Sequence, residues 1–344
     1  MTTSLEGLDL NALDRHLRSV GVARSGELRA ELISGGRSNL TFLVFDDASK
    51  WVLRRPPLHG LTPSAHDMAR EYKVVAALQD TPVPVARAVT MLNDDSVLGA
   101  PFQMVEHVPG RVVRYENELE KLGDKAVISD SVDALIRVLA DLHAVDPDAV
   151  GLGDFGKPTG YLERQVRRWG GQWELVRRED DPCDTDVKRL HSALAEAIPP
   201  QSRNSIVNGD YRIDNTILDA QDATRVVAVL DWEMSTLGDP LSDAALMCVY
   251  RHPMFNLIHA SSAWASPLIP EVDELANRYS VAAGQSLDNW DFYMALGYFK
   301  VAIIAAGIAF RARMGGGVAA DTDAVDQAVA PLIAEGLSAL SPRV

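Results

Sequence analysis

Cysteine is nearly missing from this sequence: Cys183 and Cys248 are the only two in 344 residues, with no CxxC partner and no histidine-rich neighbourhood. A disulfide framework is thereby excluded, and a zinc site is not implied. Positive charge is also scarce, with 33 Lys and Arg against 48 Asp and Glu and a net charge of −15. Such a surface repels phosphate backbones and anionic lipid, so neither nucleic acid nor a membrane is an expected partner. Aromatic residues make up only 6%, beside 47% hydrophobic and 24% charged residues, the proportions of an ordinary globular chain. Repeats and low-complexity segments are absent. The opening MTTSLEGLDL has neither the basic nor the long apolar part of a secretory signal, so cytoplasmic residence is the expectation. One apolar run, Phe292 to Phe310, approaches membrane-spanning length. Lys300 stands at its centre and Arg311 and Arg313 follow it, so a buried helix is expected instead.

At about 150 residues per domain, the length suits two domains or one bilobal unit. Leu28 to Ile33, Leu40 to Phe45 and Trp51 to Arg54 are short strand-like runs separated by turns, and they predict a three-strand meander. Ser64 to Leu78 has helical spacing, with Met68, Tyr72, Val75 and Leu78 on one face, and Phe102 to His107 reads as a further strand. Val108, Pro109 and Gly110 break that pattern. Beyond them helices dominate, at 131–143, 161–177, 185–197, 241–250, 272–281, 289–314 and 323–340. A β island interrupts them at 205–207, 216–218 and 226–230. The expectation is an α+β architecture with a small antiparallel-sheet lobe over 1–108 and a large, mainly helical lobe over 109–344.

The β island carries the most informative polar residues: NGDYRIDN at 208–215, VLDWE at 229–233 and GDPLSD at 238–243. Asp210 and Asn215 stand five residues apart in a turn after a strand, and Asp231 ends the strand VVAVL. Two carboxylates and a carboxamide converging at strand ends are what magnesium-assisted phosphoryl transfer requires. One carboxylate orients an attacking hydroxyl, and hard oxygen ligands hold Mg²⁺ on nucleotide phosphates.

The DxxxxN spacing followed by a strand-end Asp resembles the catalytic loop and metal-binding Asp of protein-kinase-like enzymes. NGDYRIDN, DWE and LGDPLSD are similar to the aminoglycoside phosphotransferase family, and most to the branch that includes the kinase-like domains fused to acyl-CoA dehydrogenases. That branch usually reads HGDYRxDN, and here Asn208 stands where it has His, a position that is mainly structural in the kinase-like fold. The resemblance covers about residues 25 to 315. It implies a protein-kinase-like bilobal fold in which Asp210 is the catalytic base and Asn215 and Asp231 are magnesium ligands. Glu233 would reach a second metal through water, and Asp243 would anchor the catalytic loop.

A nucleotide site also needs a phosphate cover, a cation and a hinge for the base. SGGRSN, between two predicted strands, resembles the family's GGxSNLTF segment and offers Ser34, Gly35, Gly36, Ser38 and Asn39 to the phosphates. Strand alternation lets only one of Arg54 and Arg55 face a cleft. The family's VLR pattern selects Arg54, with Glu71 as its carboxylate partner. PFQMVEHVPG resembles the hinge, with Met104 behind the base and the main chains of Glu106 and Val108 bonded to adenine.

GLGDFG at 151–156 satisfies GxGxxG but follows a helix where a dinucleotide fingerprint follows a strand, so it is discounted. Arg164, Arg167, Arg168, Arg177 and Arg178 gather on one predicted helix, either as a solvated face or as an acceptor patch for an anionic group. The reading that results is a small-molecule kinase using ATP or GTP with Mg²⁺ and a hydroxyl acceptor, either aminoglycoside-like or a metabolic hydroxyl such as a hydroxyacyl thioester. The alternative is a nucleotide-binding pseudokinase acting as a regulatory or scaffold module. The sequence does not specify an oligomeric state.

Overall fold

The first hundred residues alternate apolar and polar positions closely enough to pair into a sheet, and they do. The structure, a computed structural model, describes residues 5–34, 39–58, 67–259, 262–315 and 322–341. It divides into two compact units, Met1–Pro109 with Ala228–Glu233, and Gly110–Val227 with Met234–Val344.

In the first unit, α1 (Leu10–Ser19) precedes β1 (Arg29–Ser34), β2 (Leu40–Phe45) and β3 (Lys50–Arg55). After α2 (Met68–Leu78) come β4 (Ala88–Leu92) and β5 (Phe102–Glu106). The strands form one antiparallel sheet in the order β1-β2-β3-β5-β4. The meander of β1, β2 and β3 is present as expected, and it extends into a larger sheet because β5 pairs with β3. Phe42, Val44, Leu53, Phe102 and Met104 point to one face and pack with Leu13 and Leu17 of α1. Asp9 caps α1 by accepting the Asn11 and Ala12 amides. Residues 228–233 were expected in the helical lobe; packing places them with the sheet unit, where the Val229 amide donates to Pro84 O at 2.8 Å.

The second unit contains α3 (Glu116–Leu119), α4 (Lys125–Ala144), α5 (Tyr161–Val176) and α6 (Asp184–Glu196). Short strands follow: β6 (Ser205–Val207), β7 (Thr216–Leu218), β8 (Val226–Val229), whose last two residues are counted with the first unit, and β9 (Thr236–Gly238), paired β6 with β9 and β7 with β8. Then come α7 (Pro240–Val249), α8 (Phe255–Ile258), α9 (Val272–Ala283), α10 (Trp290–Arg313), α11 (Thr322–Gln327) and α12 (Val329–Ala339). α10 is apolar around its whole circumference, the pattern of a buried helix. It packs against α5, α7, α11 and α12, and 83% of its most apolar 18-residue stretch is buried. The single helix expected over 323–340 is two. Pro331 lies in the first turn of α12, where its missing N–H is tolerated, whereas inside a continuous helix its ring would clash with the carbonyl four residues back.

Candidate active site

The loop after β6 is held by side chains from several surrounding elements. Asp243, in the first turn of α7, accepts the Asn208 amide on Oδ2 at 2.6 Å and the Gly209 amide on Oδ1 at 2.8 Å. The anchoring role expected of Asp243 is thus visible in its bonds. Behind it, His143 Nε2 lies 3.4 Å from Asp243 Oδ2, while His143 Nδ1 is 2.7 Å from the Tyr279 hydroxyl. α7 is itself held by its cap. Asp239 accepts the Leu241 amide at 3.0 Å, the Ser202 hydroxyl at 2.6 Å and the Tyr293 hydroxyl at 2.9 Å. Gly209 is required where it stands: its φ is +86°, and a Cβ there would come within 2.9 Å of the Met234 carbonyl.

Asn208, fully buried, accepts the Asp210 amide on Oδ1 at 3.0 Å. The carboxylate of Asp210 has donors on both oxygens. Tyr250 donates its hydroxyl to Oδ1 at 2.6 Å, and Asn215 Nδ2 donates to Oδ2 at 2.9 Å and to the Asp210 carbonyl at 2.8 Å. Arg212 Nη2 adds a longer bond to Oδ2 at 3.3 Å. Because the Asn215 nitrogen is spent in this way, its Oδ1 is the atom left for a cation. That is a hard oxygen donor of the kind Mg²⁺ takes.

Arg212 lies over the rings of Tyr250 and Phe255, 5.3 and 5.2 Å from their centroids, and pairs with Asp214 at 2.8 Å. Burial raises the Asp214 carboxyl to about 6 despite the pull of Arg212. Burial, followed by the Arg212 charge, lowers His259 to about 4, so this imidazole is neutral near pH 7. Lys300 of α10 donates to the Gly209 carbonyl at 2.8 Å and lies 5.8 Å from the Trp169 ring centroid. Desolvation brings its ammonium down to about 8.

In the first unit, the buried stripe of α2 runs Met68, Glu71, Val75, Leu78, so a carboxylate occupies a position of helical spacing otherwise filled by apolar side chains. Glu71 was expected as a partner of Arg54, though not on this stripe, where Tyr72 was placed. Arg54 Nη1 donates to Glu71 Oε2 at 2.7 Å, and Gln103 Nε2, from the residue paired with Arg54 across β3 and β5, donates to the same oxygen at 2.7 Å. Burial pushes Glu71 up to about 7 against the pull of Arg54, and the charges of Asp231 and Glu233 add to the rise. Three carboxylates are thus close enough to repel one another, an arrangement that favours a cation among them. Asp231 sits at φ +54°, the left-handed region that Asp tolerates better than most residues.

Arg55 turns the other way. It is buried and donates to the carbonyls of Leu98, at 3.0 Å, and Gly7. Met104 is fully buried on β5. The Glu106 amide is spent on Arg87 O at 2.8 Å, so any bond Glu106 makes to a base is through its carbonyl. Val108 follows β5 in the run to Pro109. Ser34 ends β1 and Asn39 is buried just before β2, while Gly35, Gly36 and Ser38 lie outside the described residues. The arginine patch on α5 is smaller than its count. Arg164 donates to the Lys157 and Thr159 carbonyls, Arg177 pairs with Glu174, and Arg178 pairs with Asp181 and Asp326. Arg167 and Arg168 remain exposed, the latter 5.3 Å from the Trp169 ring centroid.

Residues 29–294 match the phosphotransferase enzyme family. The chain belongs to that family. Acyl-CoA dehydrogenase family member 11 of Pongo abelii is 35% identical over 340 residues, 96% of this chain and 42% of that protein. The chain therefore spans about two fifths of the length of that curated relative. A crystal structure from Ralstonia eutropha JMP134, of a protein assigned as an aminoglycoside phosphotransferase, is 32% identical with a TM-score of 0.81, covering 96% of this chain and 98% of that one. A thermostable aminoglycoside phosphotransferase APH(4)-Ia, in a ternary complex with AMP-PNP and hygromycin B, is 15% identical with a TM-score of 0.63, covering 94% and 98%. At that identity the likeness is one of fold. The architecture is accordingly protein-kinase-like, an α+β fold with an antiparallel sheet and many helices, and the family is one of phosphotransferases.

Proposed function

We propose that this phosphotransferase is a small-molecule kinase that uses ATP or GTP with Mg²⁺ and moves the γ-phosphoryl group to a hydroxyl. The observation that carries the reading is the Asp210 carboxylate, whose two oxygens are oriented by Tyr250 on one side and by Asn215 and Arg212 on the other. A carboxylate so held aligns an acceptor hydroxyl and takes its proton, and most of the rate comes from that positioning. Asn215, through Oδ1, and Asp231 are the residues that would hold magnesium. The metal supplies charge neutralisation at the phosphates. Arg54, steadied by Glu71 and Gln103, contributes a fixed cation, and Ser34, Gly35, Gly36, Ser38 and Asn39 would cover the phosphates. The main chains of Glu106 and Val108, with Met104 behind, would receive the base. The nucleotide-covering lobe is the sheet unit, 1–108 together with 228–233, and the acceptor lobe is the rest of 109–344, with residence in the cytoplasm.

For the acceptor, the surroundings of Trp169 support an anionic metabolite over a polycationic aminoglycoside, because Arg168 and Lys300 both lie over that ring. A hydroxyacyl thioester of CoA has the required hydroxyl and phosphates that arginine binds well.

The deciding experiment is phosphate transfer from ATP across a library of hydroxyl metabolites, with Asp210→Ala as the control. The expected result is turnover in the wild type, none in the variant, and nucleotide binding retained in both by thermal shift. Equal turnover in both proteins would remove Asp210 from its role. Binding without turnover on any acceptor would favour the inert nucleotide-binding module that Asn208, in place of His, suggests. A salt-sensitive affinity for CoA esters, lost in Arg167→Ala with Arg168→Ala, is the expected signature of the anionic acceptor.

A further inference from the structure

Lys300 is the one charge inside the most apolar stretch of the chain, and nothing in phosphoryl transfer itself requires it. Its ammonium reaches the carbonyl of Gly209 at 2.8 Å. That carbonyl and the amide of Asp210 belong to one peptide unit. The amide end is held as well, by Asn208 Oδ1 at 3.0 Å. In a planar trans peptide the two groups point in opposite directions, so a donor on one and an acceptor on the other stop the plane from rotating. The peptide before it is held by Asp243 through the amides of Asn208 and Gly209. The direction in which Asp210 leaves the backbone is therefore fixed from α7 on one side and from α10 on the other.

We propose that Lys300 is a positioning residue for Asp210, its ammonium locking the peptide that carries the catalytic carboxylate, in concert with Asn208. The inference rests on the kinase reading given above.

Burying a lysine is expensive unless its charge is used. The groups facing this one come from three helices and the catalytic loop. Asp243 of α7 and Asp210 favour the charged form, and Arg168 of α5 opposes it. The small cavity beside the ammonium is lined by α5, α7 and α10 alone, including Tyr161, Gln165, Ser242 and Tyr293. Desolvation outweighs the two carboxylates and leaves the ammonium titrating at about 8 instead of its ordinary 10.5. As pH rises through that value the proton leaves, and the bond to Gly209 weakens from charge-assisted to neutral.

The test compares wild type, Lys300→Met and Lys300→Arg in steady-state ATP turnover with Mg²⁺, together with thermal melts and nucleotide binding. Lys300→Met is expected to lower kcat by roughly 10- to 100-fold, the scale of a small misplacement of a reacting group. Its nucleotide KM should stay within about twofold, since the lysine supports a catalytic side chain and not the nucleotide. Lys300→Arg, which stays charged at every accessible pH, is expected to restore most of kcat and to remain level between pH 7.5 and 9, where wild-type activity falls. A Lys300→Met enzyme with wild-type kcat overturns the proposal. So does a Lys300→Arg enzyme with the wild-type alkaline limb, and this second variant keeps the question decidable if the methionine variant does not fold. An active wild type with either result overturns this proposal alone. A wild type that binds nucleotide and turns nothing over overturns the kinase reading and this proposal with it.

Discussion

The hydroxyl of Tyr250 donates to Oδ1 of Asp210 at 2.6 Å across 40 residues of chain. Tyr250 is the C-cap of α7, the same helix whose first turn holds Asp243. One helix therefore sets both the backbone of the loop after β6, through Asp243, and the facing of the Asp210 carboxylate, through Tyr250. Arg212 lies over the Tyr250 ring and reaches the other carboxylate oxygen, so side chains of three types surround one acid.

Tyr250→Phe keeps the ring and its packing and removes only the donor. It is expected to lower kcat about tenfold, the scale of one hydrogen bond to a charged group, while both KM values stay near wild type. Steady-state kinetics with each substrate varied in turn measures this, and an unchanged kcat would show that Asn215 and Arg212 suffice.

Gly209→Ala meets two obstacles, a left-handed backbone and the Met234 carbonyl at 2.9 Å. A loss of about 2 kcal/mol of stability is expected, together with a loss of turnover. Gly99→Ala is the control, because φ is +71° there and nothing lies within 4 Å of the added methyl. It carries the backbone strain alone. Equal melting temperatures for the two variants would mean that the Met234 carbonyl moves aside freely.

Adjacent arginines on β3 separate function from stability. Arg54→Ala removes the partner of Glu71 and is expected to raise the nucleotide KM with a small change in melting temperature. Arg55→Ala leaves the buried carbonyl of Leu98 without its donor and is expected to destabilise by about 3 kcal/mol with little effect on KM. Kinetics and melts on the same two proteins check both halves, and an exchange of the two phenotypes would mean that the wrong arginine faces the nucleotide.

Glu71 titrates at about 7 in the folded protein against an ordinary value of 4.5. The folded state thus binds its proton more tightly than the unfolded one. The stability from this proton is fully present below about 4.5 and is lost as pH rises through about 7. Glu71→Gln abolishes that dependence. The melting temperature of the variant minus that of the wild type is expected to increase from pH 5 to pH 8. Melts at four pH values decide it, and a constant difference would contradict the raised value.

What was legible in the sequence was whatever a short stretch of chain determines by itself. NGDYRIDN specifies its own turn, and the Asn215 amide reaches Asp210 within that turn. Strand alternation put Arg54 and Arg55 on opposite faces, and the resemblance to the VLR pattern selected Arg54. Tyr250 and Lys300 carried no such signal, because their roles come from tertiary approach. Tyr250 ends an apolar helix like any core aromatic, and Lys300 stood out only as a charge in an apolar run. Gln103 reaches Glu71 because β5 pairs with β3, and that pairing is not written in either strand. α1 went unread since its buried face holds only Leu13 and Leu17, with polar residues all around them. The buried stripe of α2 was misjudged at one place, where Glu71 and not Tyr72 turns inward.

Lys300 and Gly209 are 91 residues apart. During synthesis the motif NGDYRIDN is complete long before α10 exists, and the peptide ahead of Asp210 has no ammonium to hold it until that helix has emerged and packed. The lock proposed for this peptide is therefore completed late, from the far side of the chain. A nascent or truncated product ending before α10 would carry NGDYRIDN whole, with that peptide held at its amide end by Asn208 and without its donor at the carbonyl end.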